Sequence, residues 1–168
     1  ELFKACESIA TCTDILGRLE SELRDCGTVG DTKPNRLLYL ATVTRLFNTP
    51  VSVCFKGNSA AGKSHVLRTT LPYLPREAYI EISGMSEKAL QYSQESFKHR
   101  HIVIHEFSGV QSAEGNPWLR MLLSEHRLDY RTVSPGSGGE REAVILQKEG
   151  PTGLIMTTTE RHLHPEDE

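Results

Sequence analysis

No stretch of this sequence stays apolar for the roughly 18 to 20 residues needed to cross a bilayer, and its N-terminus carries no basic-then-apolar signal. No membrane partner is therefore expected, and the cytoplasm is the expected location. An excess of positive charge is also missing: 19 Lys and Arg face 22 Asp and Glu, for a net charge of −3 and a pI near 6.2. That balance excludes a protein coated in positive charge, so any nucleic-acid contact has to be local. The four cysteines, Cys6, Cys12, Cys26 and Cys54, make no C-x-x-C pair and read as reduced thiols, with Cys54 a small core residue inside an apolar run. His101 and His105 share a strand face and His162 and His164 form H-x-H, yet no cysteine or carboxylate joins them at a ligand spacing, so no structural zinc is expected. There is no internal repeat, no Ser-His-Asp set and no pair of carboxylates spaced for acid–base work. What remains is a chain of 168 residues, 38% hydrophobic and 24% charged, the size and balance of one globular domain.

Apolar residues at helical spacing from Leu2 to Leu23 predict a first helix, broken by the segment Gly27 to Lys33. Pro34 opens a second, carrying Leu37, Leu38, Leu40, Ala41, Val43, Leu46 and Phe47 on a wide face. The β-branched run Val51 to Phe55 predicts a buried strand, and a helix is expected from Lys63 to Leu74. Further strands are expected at Ala78 to Ile82 and His101 to Phe107, with a helix capped by Ser86 and running toward Phe97 between them. Asn116-Pro117 starts another helix ending at Glu125 or His126. Leu128 to Val133 and Ala143 to Gln147 flank the turn-rich Ser134 to Glu140 and predict a β-hairpin, and Leu154 to Thr159 is a final strand. Strands alternating with helices predict an α/β fold with a mainly parallel sheet flanked by helices. The expected organisation is an N-terminal helical segment over residues 1–48 and a core over 49–168. Tyr92 and Tyr130 are more simply packing residues than base-stacking ones.

Residues 57 to 64 read Gly-Asn-Ser-Ala-Ala-Gly-Lys-Ser and match G-x-x-x-x-G-K-[ST], a P-loop, with a predicted strand before and a predicted helix after. Small residues let the chain curl so that successive amides aim at one anion, helped by the N-terminus of the next helix. Gly57 and Gly62 open and close the curl, and Asn58, Ser59, Ala60 and Ala61 are small enough for close backbone approach. Lys63 is expected to neutralise β- and γ-phosphates, Ser64 to take one position on Mg²⁺, and His65 to complete the nucleotide-contacting set. ATP and Mg²⁺ are the expected cofactors. The run from His101 to Glu106 ends in a carboxylate where a sheet opens beside such a loop, so Glu106 is the expected catalytic and metal-linked acid. Thr157, Thr158 and Thr159, at the end of the last strand, could sense a γ-phosphate, although threonine is also an ordinary strand residue.

With these motifs the chain resembles AAA+ ATPases over residues 36 to 164, and in particular superfamily 3 and MCM-type helicases, in which a hairpin lies between the acidic strand and the sensor strand. The order Leu122 to Leu128, hairpin, then Gly150 to Thr159 is similar to ATPase modules in primase-helicase proteins of phages and integrative elements. The resemblance implies Glu106 as the acid, Thr158 or Thr159 as the sensor, assembly into a homo-oligomeric ring, and a hairpin bringing Arg131 and Arg141 to single-stranded or duplex DNA. Two features depart from the pattern. His105 stands where an aspartate is expected, and a complete module continues to a fifth strand, an arginine finger and a helical lid, so the chain is expected to be a fragment lacking the lid. Arg161 is too near the sensor strand to be that finger. The competing readings are a P-loop kinase and a degenerate nucleotide-binding switch.

Overall fold

The computed structural model describes residues 2–82, 93, 95–107, 117–135 and 141–159. The helix expected to start at Ser86 and the hairpin tip at 136–140 lie outside the described residues, as do Tyr92, Asn116, Arg161, His162 and His164.

The N-terminal stretch forms two helices where one was expected, α1 (Leu2–Ala10) and α2 (Ile15–Asp25). The break has a local cause. Asp14 caps α2, its carboxylate accepting from the Gly17 amide at 2.8 Å, and the Thr11 hydroxyl donates to the Glu7 carbonyl at 2.7 Å. Short polar side chains that bond nearby backbone favour caps over helix interiors. α3 (Lys33–Val43) carries Pro34 in its first turn, where the missing N–H would have had no intrahelical partner, and tightens into a 3₁₀ turn at Thr44–Leu46. After β1 (Val53–Lys56) comes α4 (Lys63–Thr70), shorter than expected because Pro72 shifts the chain into a 3₁₀ turn at Leu71–Tyr73.

β2 (Tyr79–Ile82), β3 (Arg100–Ile104), α5 (Pro117–Glu125), the hairpin strands β4 (Arg127–Pro135) and β5 (Arg141–Glu149), and β6 (Thr152–Thr158) follow. β1, β6, β3 and β2 lie side by side in that order, all parallel, so the last strand is inserted between the first and third. The chain is an α/β protein with helices on both faces of a parallel sheet. Alternation along the strands explains the layering. Ile102, Ile104, Leu154 and Met156 face one way, against Leu119 and Leu122 of α5. Val103 and Ile155 face the other, against Leu67 of α4 and Leu38 of α3. Buried Asn35 ties α3 to α4, its amide donating to the hydroxyls of Thr69 and Thr70, each at 2.9 Å.

The hairpin strands pair antiparallel from Arg127 opposite Glu149 to Pro135 opposite Arg141, extending the expected strands at both ends. Lys148 fastens β5 to the segment entering β3: its ammonium donates to the carbonyls of Ser93 and Glu95 and sits 5.3 Å from the centre of the Phe97 ring. Burial holds the Lys148 pKa below the usual lysine value.

Where the strands begin, the sheet is closed by His101. Its ring is fully buried, Nε2 donates to the Val51 carbonyl at 3.0 Å, and a β-carbon on Gly153 would overlap the imidazole. Since a carbonyl only accepts, the proton sits on Nε2; Nδ1 is buried without a partner. Burial holds this histidine below its ordinary pKa, against a smaller opposing effect of the Val51 bond. No helix among the described residues is long and apolar enough to cross a membrane.

Candidate nucleotide-binding site

Parallel strands bring all their C-terminal ends to one edge of the sheet, where loops rather than side-chain packing decide what is presented. The loop after β1 leaves the sheet with the Gly57 amide still donating to the Thr158 carbonyl at 3.2 Å. It then turns back on itself, Ala61 N donating to Asn58 O at 3.2 Å, with Ala60 at φ 62° and Gly62 at φ 81°. The second of these is the left-handed conformation for which glycine has no steric penalty. The first helical bond of α4 runs from the Val66 amide to Gly62, at 3.0 Å. The amides of Lys63, Ser64 and His65 therefore have no acceptor within the helix, and they crown its positive end.

Lys63 bends back over this curl, its ammonium donating to the carbonyls of Gly57 at 2.7 Å and Asn58 at 2.8 Å. A cavity of about 270 Å³ opens beside it, lined by Ser59 to His65 together with Glu106 and Thr159. Of the residues singled out in the sequence, these nine converge, while Gly57 and Asn58 stand behind them as the acceptors that hold the lysine. A second cavity, about 260 Å³ and mostly apolar, lies among Ile9, Leu19 and Tyr39 and offers no comparable amide cradle.

Glu106 follows the end of β3, one residue beyond His105, in a left-handed backbone conformation at φ 57°. For a residue with a side chain that conformation costs roughly 1–2 kcal/mol, so the surroundings have to impose it. β6 supplies the constraint. The Glu106 amide donates to the Thr157 hydroxyl at 3.0 Å, and its Oε1 accepts from both the Thr159 amide, at 3.2 Å, and the Thr159 hydroxyl, at 3.1 Å. Thr157 and Thr158 are buried, and neither is among the residues lining the cavity; Thr159 is exposed and lines it. His105 turns to β2 instead, Nε2 donating to Glu81 Oε1 at 2.7 Å.

Thr157 as the anchor of the Glu106 backbone and Glu81 as the partner of His105 were not identified from the sequence. The only signal was the polar end of the last strand. Arg131 and Arg141 pair through their backbones with Ile145 and Pro135, and their side chains lie outside the described residues. Among the described residues no three His, Cys, Asp or Glu side chains gather as a metal group. The donors at the cavity are the Ser64 hydroxyl and the Glu106 carboxylate, hard oxygens of the kind Mg²⁺ takes when phosphate oxygens and water complete its shell.

No curated protein matches the sequence. Among solved structures, the chain resembles the crystal structure of NtrX from Brucella abortus in complex with ADP, at 16% identity and a TM-score of 0.42, over 86% of this chain and 33% of that one. It thus spans about a third of that protein's length. A family model described as MTBMA_p00010 P-loop domain matches residues 7–126, from within α1 to the threshold of the hairpin. That span takes in the amide cradle, Lys63 and Glu106, and the chain belongs to this family of P-loop nucleotide-binding domains.

Proposed function

We propose that this chain binds and hydrolyses ATP as a motor domain of the AAA+ type, acting on DNA in a helicase or primase-helicase of a phage or mobile element. The observation that carries the reading is the convergence on one cavity of the Lys63 loop, the Glu106 carboxylate and the Thr159 hydroxyl, drawn from three different strand ends. The strand order supports it too: β6 stands between β1 and β3, so a polar residue at its end lies between the phosphate loop and the acid.

In this reading the amides of the loop and of the first turn of α4 receive the phosphates. Lys63 exchanges the Gly57 and Asn58 carbonyls for β- and γ-phosphate oxygens. Ser64 and Glu106 hold Mg²⁺, which supplies charge neutralisation on the phosphates. Glu106 also accepts a hydrogen bond from the attacking water, and Thr159 reads the γ-phosphate. Water attacks phosphorus as the bond to the β-phosphate oxygen breaks, giving ADP and inorganic phosphate. The hairpin, with Arg131 and Arg141, meets the DNA backbone, and neighbouring copies in a ring complete the site.

Glu106→Gln keeps the size of the side chain and removes its basicity. It is expected to bind ATP as the parent does and to release phosphate at least about 100-fold more slowly, the range for loss of a positioned base. Steady-state phosphate release with and without single-stranded DNA is the measurement. Equal rates in the variant and the parent would remove Glu106 from the chemistry, and a parent rate indifferent to DNA would remove the motor reading.

The hydrogen bond from His105 to Glu81 favours a second reading, a slow nucleotide switch, because it turns the residue standing where a second acid is expected toward β2. A parent with tight ATP binding and negligible turnover under all these conditions is its signature.

A further inference from the structure

Among the described residues two apolar faces have no cover, and both lie in the N-terminal third of the chain. α1 is the first. Every side chain from Phe3 to Ala10 is exposed, and at 100° per residue Phe3, Cys6, Ile9 and Ala10 fall on one side of the helix while Lys4, Glu7 and Ser8 fall on the other. The cavity of about 260 Å³ has Ile9 on its lining with Ile15 and Leu19 of α2 and Tyr39 of α3, so α1 is not packed down on the helices beside it. The second face is the outer side of α3. Leu37, Leu40 and Val43 recur every third residue, Leu46 and Phe47 carry the row through the 3₁₀ turn and just past it, and each of the five is between 44% and 62% exposed. A row of this kind offers on the order of several hundred Å² of apolar surface, the size at which an uncovered patch marks a site of association.

From this arrangement we infer that the partner is a second copy of this chain, bound head to tail: the apolar side of α1 in one copy lies along the row from Leu37 to Phe47 in the next. The lengths match, since the nine residues of α1 span about 13 Å and the row about 15 Å. Charge decides between this contact and a two-fold one. From Lys33 to Phe47 the charged residues are Lys33, Arg36 and Arg45, all basic, and Arg36 is paired with Glu20 of its own chain at 3.4 Å. From Leu2 to Asp25 the acids Glu7, Asp14, Glu20, Glu22 and Asp25 outnumber Lys4, Arg18 and Arg24. α3 against α3 sets bases against bases, whereas α1 and α2 against α3 set an acidic surface against a basic one. Because the two faces differ, each added copy leaves one of them free, and the contact repeats until it closes on itself. It supplies surfaces for the proposed ring and involves no residue that lines the nucleotide cavity.

Sedimentation equilibrium of the full chain without nucleotide tests the arrangement. The parent is expected to grow beyond a dimer as its concentration rises. Phe3→Glu spoils only the α1 face and Leu40→Glu only the α3 face, and since both positions are exposed, both variants should keep the parent's circular dichroism. Each alone is expected to associate at least about tenfold more weakly than the parent, the scale of losing one buried apolar anchor. Mixed in equal amounts they regain one intact contact, α1 of the Leu40→Glu copy on α3 of the Phe3→Glu copy, and should form a dimer and nothing larger. Phe3→Ala and Leu40→Ala, which add no charge, stand in for a variant that unfolds and should shift association the same way. A parent that stays monomeric at every concentration would overturn the proposal. So would a Phe3→Glu variant that associates as the parent does, the mark of a two-fold contact through α3, or a mixture no larger than its separate components. Lys63→Ala is expected to assemble as the parent does, so a failure to bind ATP and a failure to assemble are told apart.

Discussion

At the edge where its strands begin, the sheet is sealed: the buried His101 ring lies against Gly153, its Nε2 holds the Val51 carbonyl, and the Thr152 hydroxyl donates to the Arg100 carbonyl at 2.7 Å. At the edge where the same strands finish, the chain leaves open space and an exposed carboxylate. One end turns the His101 Nε2–H and the Thr152 hydroxyl onto backbone carbonyls and fits side chain to glycine. The other keeps amides, an ammonium and a carboxylate in arrangements that a ligand can rearrange. The contrast separates stability from function along a strand only a few residues long, since His101 is the second residue of β3 and Glu106 lies two residues past its end.

Breaking the sealed end is expected to have the largest effect on folding. Gly153→Leu forces a side chain into the space of the His101 ring and should lower stability by about 3 kcal/mol, the upper part of the usual range for overpacking. Urea denaturation reads the loss, and a variant as stable as the parent would show that the contact with His101 yields freely. ATP affinity measured on the fraction that remains folded should match the parent.

A smaller effect at the same end comes from protons. His101 has its pKa lowered from 6.5 by burial, so the folded state favours the neutral ring while the unfolded chain takes up a proton near pH 6.5. Its contribution to stability is therefore complete above that pH and is lost as pH falls below it toward the folded value. The slope reaches at most about 1.4 kcal/mol per pH unit. His101→Gln can still donate to Val51 and cannot titrate, so its stability should fall less steeply between pH 7 and pH 5. Parallel pH profiles for the two proteins would place the titration elsewhere.

The open end was the more legible of the two in the sequence. Gly57 to Ser64 announces itself because phosphate binding by backbone demands small residues and a lysine at fixed spacing, and the α/β alternation follows from runs such as Ile102 to Ile104. The sealed end was not legible. A histidine in a strand looks the same whether it faces solvent or fills a gap over a glycine, and the partners of His101 lie 50 residues away at Val51 and across the sheet at Gly153. The Glu106–Thr159 pair was hidden for the same reason. Each residue was singled out separately, but their adjacency depends on β6 entering between β1 and β3, which no local pattern encodes. The split of the first helix could have been anticipated from Thr11 to Asp14, a run of residues that prefer caps, and the helical spacing of its apolar residues masked it.

In the proposed function the open end binds a nucleoside triphosphate through Lys63 while the fold is held elsewhere. Thermal unfolding with and without ATP and Mg²⁺ tests both halves at once. The parent should melt a few degrees higher with ATP, because a ligand that binds only the folded state stabilises it. Lys63→Ala should melt where the parent does without ATP and should not shift when ATP is added. A shift in Lys63→Ala as large as in the parent would contradict the account.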